Sequence, residues 1–178
     1  MNFLKITKNT ADYFSKKVTS HKDTPLGVDW NSSYAQETRQ DQVLKVLKTK
    51  RNFSINDIGC GYAHLFDHLK LNNYSDFLYQ GSDISSKMIE QAEKKHGNSN
   101  IKLQLINSIS EINIADYSVA SGVFNMKGDV DNEKWQAYVI QSLIQINAKS
   151  KNGFSFNMLT SYSDKKYTRS DLYYGDPL

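Results

Sequence analysis

The chain has a single cysteine, Cys60, among 178 residues, which excludes an internal disulfide and leads to the expectation of a reducing, cytoplasmic compartment. No apolar run approaches the roughly 18 residues that a membrane span requires, so no membrane partner is expected. The first residues, MNFLKITKNTADYF, lack the continuous apolar core of a signal peptide. Charge of one sign is nowhere concentrated. The net charge of +3 is mild and dispersed, so a nucleic-acid partner is not expected either. Internal repeats and low-complexity linkers are also missing, and the length suits one domain. What is present is a composition with 39% hydrophobic and 23% charged residues, which belongs to a packed domain rather than a disordered chain.

Short β-rich runs alternate with longer helical patterns. Phe53 to Ile58, Phe77 to Ser82, Ile101 to Ile106, Tyr117 to Val123 and Phe154 to Thr160 are rich in β-branched or aromatic residues and predict five strands. Between them, Ala63 to Lys70, Ser86 to His96 and Asn132 to Lys149 predict helices. The last carries Trp135, Val139, Leu143 and Ile146 on one side. Ser85 is placed to cap the second of these helices, and Asp129, Asp131 and Glu133 to cap and charge the third. Such alternation predicts an α/β fold, a doubly wound and mainly parallel sheet with helices on both faces.

In that fold, ligands sit beyond the carboxyl ends of the strands. The first run ends in Asp57-Ile58-Gly59-Cys60-Gly61, where bare glycines permit a sharp turn and bring a ligand close to main-chain N–H groups. A P-loop spacing is absent, so nucleoside triphosphates are not expected. A dinucleotide fingerprint would need glycine where the chain has His64, which makes an NAD site the weaker reading. The second run ends in Asp83, roughly 20 positions after the loop, the offset at which a carboxylate meets ribose hydroxyls. A ligand with a ribose and no phosphate accounts for both features.

These residues resemble the class I S-adenosylmethionine (SAM) dependent methyltransferases. Asp57 to Ala63 looks like their first motif, and Ser82-Asp83-Ile84-Ser85 with Met88 like their second. Ala120 to Asn125 is similar to the fourth, and Gly153 to Asn157 to the fifth strand region. Gly27-Val28-Asp29-Trp30 and Gln36-x-x-Arg39 look like the N-terminal cap of a bacterial small-molecule subgroup. The chain departs from the pattern at Ala63, where the family often has glycine, and at Asn107-Ser108, where many members carry an acidic residue. The resemblance implies a helical cap over residues 1–50 and a Rossmann-like core over 51–178 that lacks the last two strands of the full fold. It also implies SAM as cofactor, S-adenosylhomocysteine (SAH) as its product and a small-molecule acceptor. Asp57 would orient the glycine loop and reach the SAM amino group through water. Gly59, Cys60 and Gly61 would pass the methionine part, and Asp83 would hold the ribose. Ile84 and Met88 would flank the adenine, and Asn107, Ser108 and Ile109 would edge it. Ser121 and Gly122 would line the sulfonium side. Arg39 would meet the SAM carboxylate, its alternative being a solvated helical arginine.

No catalytic base is assigned. His21, Asp29, Tyr162 and Tyr167 are candidates by position in the cap or after the fifth strand. His64 and His68 share a helix face at metal-chelating spacing, but no third ligand accompanies them; solvent-facing histidines are expected and no metal. Cys60 lies at a helix start, where thiol pKa values fall and a reactive thiol is one reading; the resemblance implies a cysteine with no redox role. The tail, SYSDKKYTRSDLYYGDPL, is expected to form no packing of its own at its end, the frame being expected to continue and the fifth strand to remain an exposed edge open to homodimer pairing. Two functions follow: a SAM-dependent methyltransferase acting on a small molecule, or a SAM-binding scaffold that has lost catalysis.

Overall fold

Alternation along the first strand sets up two packed layers. In β1 (Arg51–Ile58), Phe53 and Ile55 face one hydrophobic cluster, while Ile58 belongs to another on the opposite side. The computed structural model describes residues 3–177. Helix α1 (Leu4–His21), a 3-10 turn over Pro25–Val28 and α2 (Ser33–Leu44) precede β1. Then follow α3 (His64–Leu71), β2 (Ser75–Asp83), α4 (Ser86–His96), β3 (Ile101–Leu105), β4 (Ala115–Ala120), α5 (Asn132–Ala148) and β5 (Ser150–Phe156). The sheet order is β3-β2-β1-β4-β5, and every pairing is parallel. This is the expected doubly wound arrangement, with five strands among the described residues.

Each layer has a physical origin in the helices. Val43 and Leu44 of α2, Leu65, Phe66 and Leu69 of α3 and Ala92 of α4 cover one face. On the other, Trp135, Val139 and Ile146 of α5 pack with Ile106, Ile109, Ile112 and Phe124. Trp135 is fully enclosed because its indole N–H donates to the Phe124 carbonyl at 2.9 Å, which removes the cost of burying a bare donor. The predicted caps hold: Ser85 Oγ accepts from the Met88 N–H, and the Asp131 carboxylate accepts from the N–H groups of Glu133 and Lys134.

Three expectations need correction. β4 ends at Ala120 rather than Val123, because Gly122 takes φ 78° and turns the chain away from the sheet. β5 runs over Ser150–Phe156 instead of Phe154 to Thr160. Its first residues are polar and carry no strand signal; pairing with β4 from Ala115↔Ser150 recruits them. The tail does pack. Tyr173 is buried in the second core cluster, and its N–H donates to the Asn125 carbonyl at 2.7 Å. The N–H groups of Lys127 and Gly128 both donate to the Asp171 carbonyl, and Met126 and Leu172 form an antiparallel bridge.

Candidate functional site

The sheet reverses its direction of growth between β1 and β4, and the ends of those strands frame the site. After Ile58 the chain enters a loop in which Gly59, Gly61 and Ala63 all take left-handed backbone angles, with φ of 69°, 55° and 60°. A Cβ at Gly59 would lie 2.6 Å from a Val123 methyl, and one at Gly61 2.8 Å from a Val28 methyl. Both positions therefore need glycine for conformation and for space. Ala63 adopts the same conformation at the cost of local strain.

Four of the loop's N–H groups are already engaged within the protein. Those of Gly59 and Cys60 donate to the Ser82 carbonyl at 2.8 and 3.0 Å, and that of Ala63 to the Cys60 carbonyl at 2.9 Å. The Gly61 N–H donates to Asp83 Oδ2 at 3.0 Å. The expected offer of free main-chain N–H groups to a ligand is thus corrected at these four positions, since those of Gly59, Cys60 and Gly61 fasten the loop to β2 and that of Ala63 closes a turn within it.

Asp83 is 7% exposed and also accepts from the Ser85 N–H through Oδ1, at 2.8 Å. Burial pushes its carboxyl up to about 6, opposed by the N–H groups of Ser85, Gly61 and Ile84. Asp57, one strand away, is raised to about 7 by burial, opposed by the hydrogen bond from the Tyr79 hydroxyl and reinforced by the charge of Asp83. The Tyr79 hydroxyl donates to Asp57 Oδ2 at 2.5 Å. A carboxylate has room for about four acceptor contacts, so Asp83 keeps capacity toward the cavity beside it. Burial and the neighbouring carboxylates push the Cys60 thiol well above its ordinary range, the opposite of an activated thiol.

That cavity measures about 1060 Å³. Asp57, Gly59, Cys60, Gly61, Asp83, Ile84, Met88, Asn107, Ser108, Ile109, Ser121 and Gly122 all line it. Arg39 does not; its guanidinium stacks 4.8 Å over the Trp30 ring and donates to the Ala35 carbonyl. Trp30 itself lines the cavity and lies against Gly122, where a Cβ would meet its ring at 2.8 Å. His21, Asp29, Tyr162 and Tyr167 are absent from the lining. Asp29 instead pairs with Lys17 at 2.7 Å and accepts from the Tyr13 hydroxyl.

Several lining residues carry no site role in the sequence analysis, Gln36 among them although it stands in the cap motif. Thr7, Thr10 and Phe14 reach the cavity from α1, Gln36 and Gln40 from α2, and Tyr138, Gln141 and Gln145 from α5. The i, i+4 spacing of Gln36 and Gln40 was the available signal, since it places them on one helix face. The histidine expectation also fails. His68 is buried and bonds Asp41 at 2.7 Å, and His64 pairs with Gln40 at 2.9 Å, so neither simply faces solvent.

The arrangement fits a nucleoside. It joins a buried carboxylate for a diol, an apolar slot at Ile84 and Met88 for a base, and neutral polar edges at Asn107 and Ser108. No family model matches the chain. A candidate methyltransferase of Mycobacterium tuberculosis, Rv1506c, is 41% identical over 135 residues, which cover 75% of this chain and 80% of that protein. Among solved structures, the magnesium protoporphyrin IX methyltransferase ChlM of Synechocystis PCC 6803, with bound SAM, gives a TM-score of 0.62 at 16% identity. That match covers 96% of this chain and 80% of ChlM. The N-methyltransferase NodS of Bradyrhizobium japonicum, in complex with SAH, gives 0.54 at 17% identity, covering 78% of this chain and 67% of NodS.

Proposed function

The chain belongs to the class I SAM-dependent methyltransferases, and from that premise we propose that it moves a methyl group from SAM to a small-molecule acceptor. The observation that carries this reading is the single cavity in which the glycine loop, buried Asp83 and the Ile84 and Met88 slot converge.

In this reading Asp83 accepts both ribose hydroxyls, and its bonds from Gly61 and Ser85 hold it in place before the ligand arrives. Ile84 and Met88 flank the adenine, while Asn107, Ser108 and Ile109 meet its edge. Asp57 faces the amino end of the methionine part, and Ser121 and Gly122 border the methyl group. The bound donor supplies an activated methyl on a positively charged sulfur, which retains the bonding electron pair when the methyl leaves. The protein's task is then alignment. Residues 1–50 serve as the cap in this reading, which the presence of Thr7, Thr10, Phe14 and Trp30 in the cavity lining supports.

Among the described residues, Asp57 and Asp83 are the only ionisable carboxylates or imidazoles lining the cavity. This favours an acceptor that arrives ready to react, and it also gives substance to a second reading, a SAM-binding protein without catalysis. Incubation with methyl-labelled SAM and a metabolite mixture separates the two. Label transferred to a small molecule supports the enzyme; tight SAH binding with no transfer to any acceptor favours the second reading. Pairing of two chains along the β5 edge is a further proposal, decided by sedimentation velocity at micromolar concentration.

A further inference from the structure

A methionine carboxylate in this cavity needs donors, and the glycine loop has few left. The N–H groups of Gly59, Cys60, Gly61 and Ala63 are taken by protein acceptors. No Lys, Arg or His lines the cavity among the described residues. Arg39, one position before Gln40, lies over Trp30.

Beside the loop, α2 presents two carboxamides to the same cavity. Gln36 and Gln40 are each 5% exposed. Both are pinned at one end by a residue that follows Gly61. The Tyr62 hydroxyl donates to Gln36 Oε1 at 3.1 Å, and His64 Nδ1 lies 2.9 Å from Gln40 Oε1. The amide nitrogens make no hydrogen bond with the described residues. Nor are they sealed away unpaired: the side-chain atoms in that state are Ser82 Oγ and His96 Nε2. The nitrogens are therefore open to the cavity that both side chains line. An amide N–H that faces a cavity in this way is a free donor, and a ligand oxygen can accept from it in place of water.

We propose that Gln36 and Gln40 together bind the carboxylate of the methyl donor's amino-acid end, a neutral amide pair standing where a cation would be expected. The inference rests on the SAM reading above. It also predicts discrimination: the pair distinguishes ligands that carry the amino-acid end from nucleosides that lack it.

The test compares SAH with 5′-methylthioadenosine, which keeps the nucleoside and thioether but has no amino-acid group. Calorimetry measures both ligands against the intact chain and against Gln36→Ala, Gln40→Ala, Gln36→Glu and Arg39→Ala. Each alanine variant is expected to lose roughly tenfold in SAH affinity, the loss of about one hydrogen bond to a charged group. Methylthioadenosine affinity should stay unchanged, and Arg39→Ala should behave as the parent. Gln36→Glu, nearly isosteric but anionic, should lose more for SAH than Gln36→Ala does, with the excess shrinking as salt is added. Equal losses for the two ligands, or a selective loss of SAH in Arg39→Ala alone, overturn the inference and leave the donor reading standing. A parent chain that binds neither ligand overturns both.

Discussion

The Asp83 carboxylate holds the Gly61 N–H at 3.0 Å, so the residue read as the ribose ligand is also the post to which the glycine loop is tied. Its other oxygen takes the Ser85 N–H at the start of α4. One buried side chain thus sets the distance between the two segments that would enclose a nucleoside. Charge-assisted bonds from two backbone donors keep it fixed in the absence of ligand.

Replacing that carboxylate should therefore do two things. Asp83→Ala removes the proposed diol contact and should weaken SAH binding by about 1.5 to 3 kcal/mol, the worth of hydrogen bonds to a charged group. It should also loosen the loop, seen as faster amide exchange at Gly61 and Ser85. Asp83→Asn keeps one acceptor oxygen and should fall between. Calorimetry showing Asp83→Ala as tight as the parent would place the nucleoside elsewhere.

Ligand affinity should depend on pH in a definite direction. Ribose hydroxyls donate to the ionised form of Asp83, whose carboxyl is pushed up by burial to about 6 in the free protein. Binding favours the charged form and expels a proton when the pH is at or below that value. SAH affinity is then expected to rise from pH 5 to 7 and level off. Calorimetry in buffers of different ionisation heat should find proton release at pH 6 and little at pH 8. Proton uptake at pH 6 would contradict it.

The parts of this site that were legible in the sequence are the local ones. Gly59, Gly61 and Asp83 sit at strand ends, where conformation and chemistry demand particular residue types at short spacing. Helix α2 was not legible from its pattern. Between Ser33 and Gln42 it has few apolar residues, so its inward face is written in Gln36 and Gln40, which periodicity reads as solvated. The sheet pairing that recruits Ser150 and Lys151 into β5, and the burial of Tyr173, are decided by distant contacts and leave no local mark.

Asp57 should make the free protein less stable as the pH rises. Its folded value is about 7 against 3.8 for the unfolded chain, so the native state holds the proton longer. Below pH 3.8 the group is neutral in both states and costs nothing. Between there and pH 7 the unfolded chain ionises first, and stability is lost by on the order of 1.4 kcal/mol per unit of difference. Asp57→Asn retains an acceptor for the Tyr79 hydroxyl and cannot ionise. Denaturant unfolding should show little advantage for the variant at pH 4 and a growing one up to pH 8. An advantage that shrinks over that range would reverse the assignment.

His64 and His96 act in the opposite sense. Burial lowers both, so the unfolded chain takes up protons first as the pH falls through the ordinary histidine range. Stability from these two is present above that range and lost below it. His96 is 5% exposed, and its Nε2 makes no hydrogen bond, lying 3.8 Å from Asp67 Oδ2. His96→Gln should flatten the acid limb of the stability curve between pH 7 and 5. An unchanged limb would assign the acid sensitivity to other groups.

The tail supplies a structural test. Tyr173 is 8% exposed within the cluster that holds Trp135 and Phe124, and its N–H reaches across to Asn125, at the turn that follows Ser121 and Gly122. Truncating a buried aromatic side chain typically costs about 3 to 5 kcal/mol. Tyr173→Ala leaves the backbone bond in place, so the side-chain loss is read alone in denaturant unfolding. Because Asn125 follows the cavity-lining Gly122 and Val123, the same variant should weaken SAH binding less than it weakens the fold. Removal of Tyr173 without any fall in unfolding free energy would mean that the tail lies on the domain without contributing to its core.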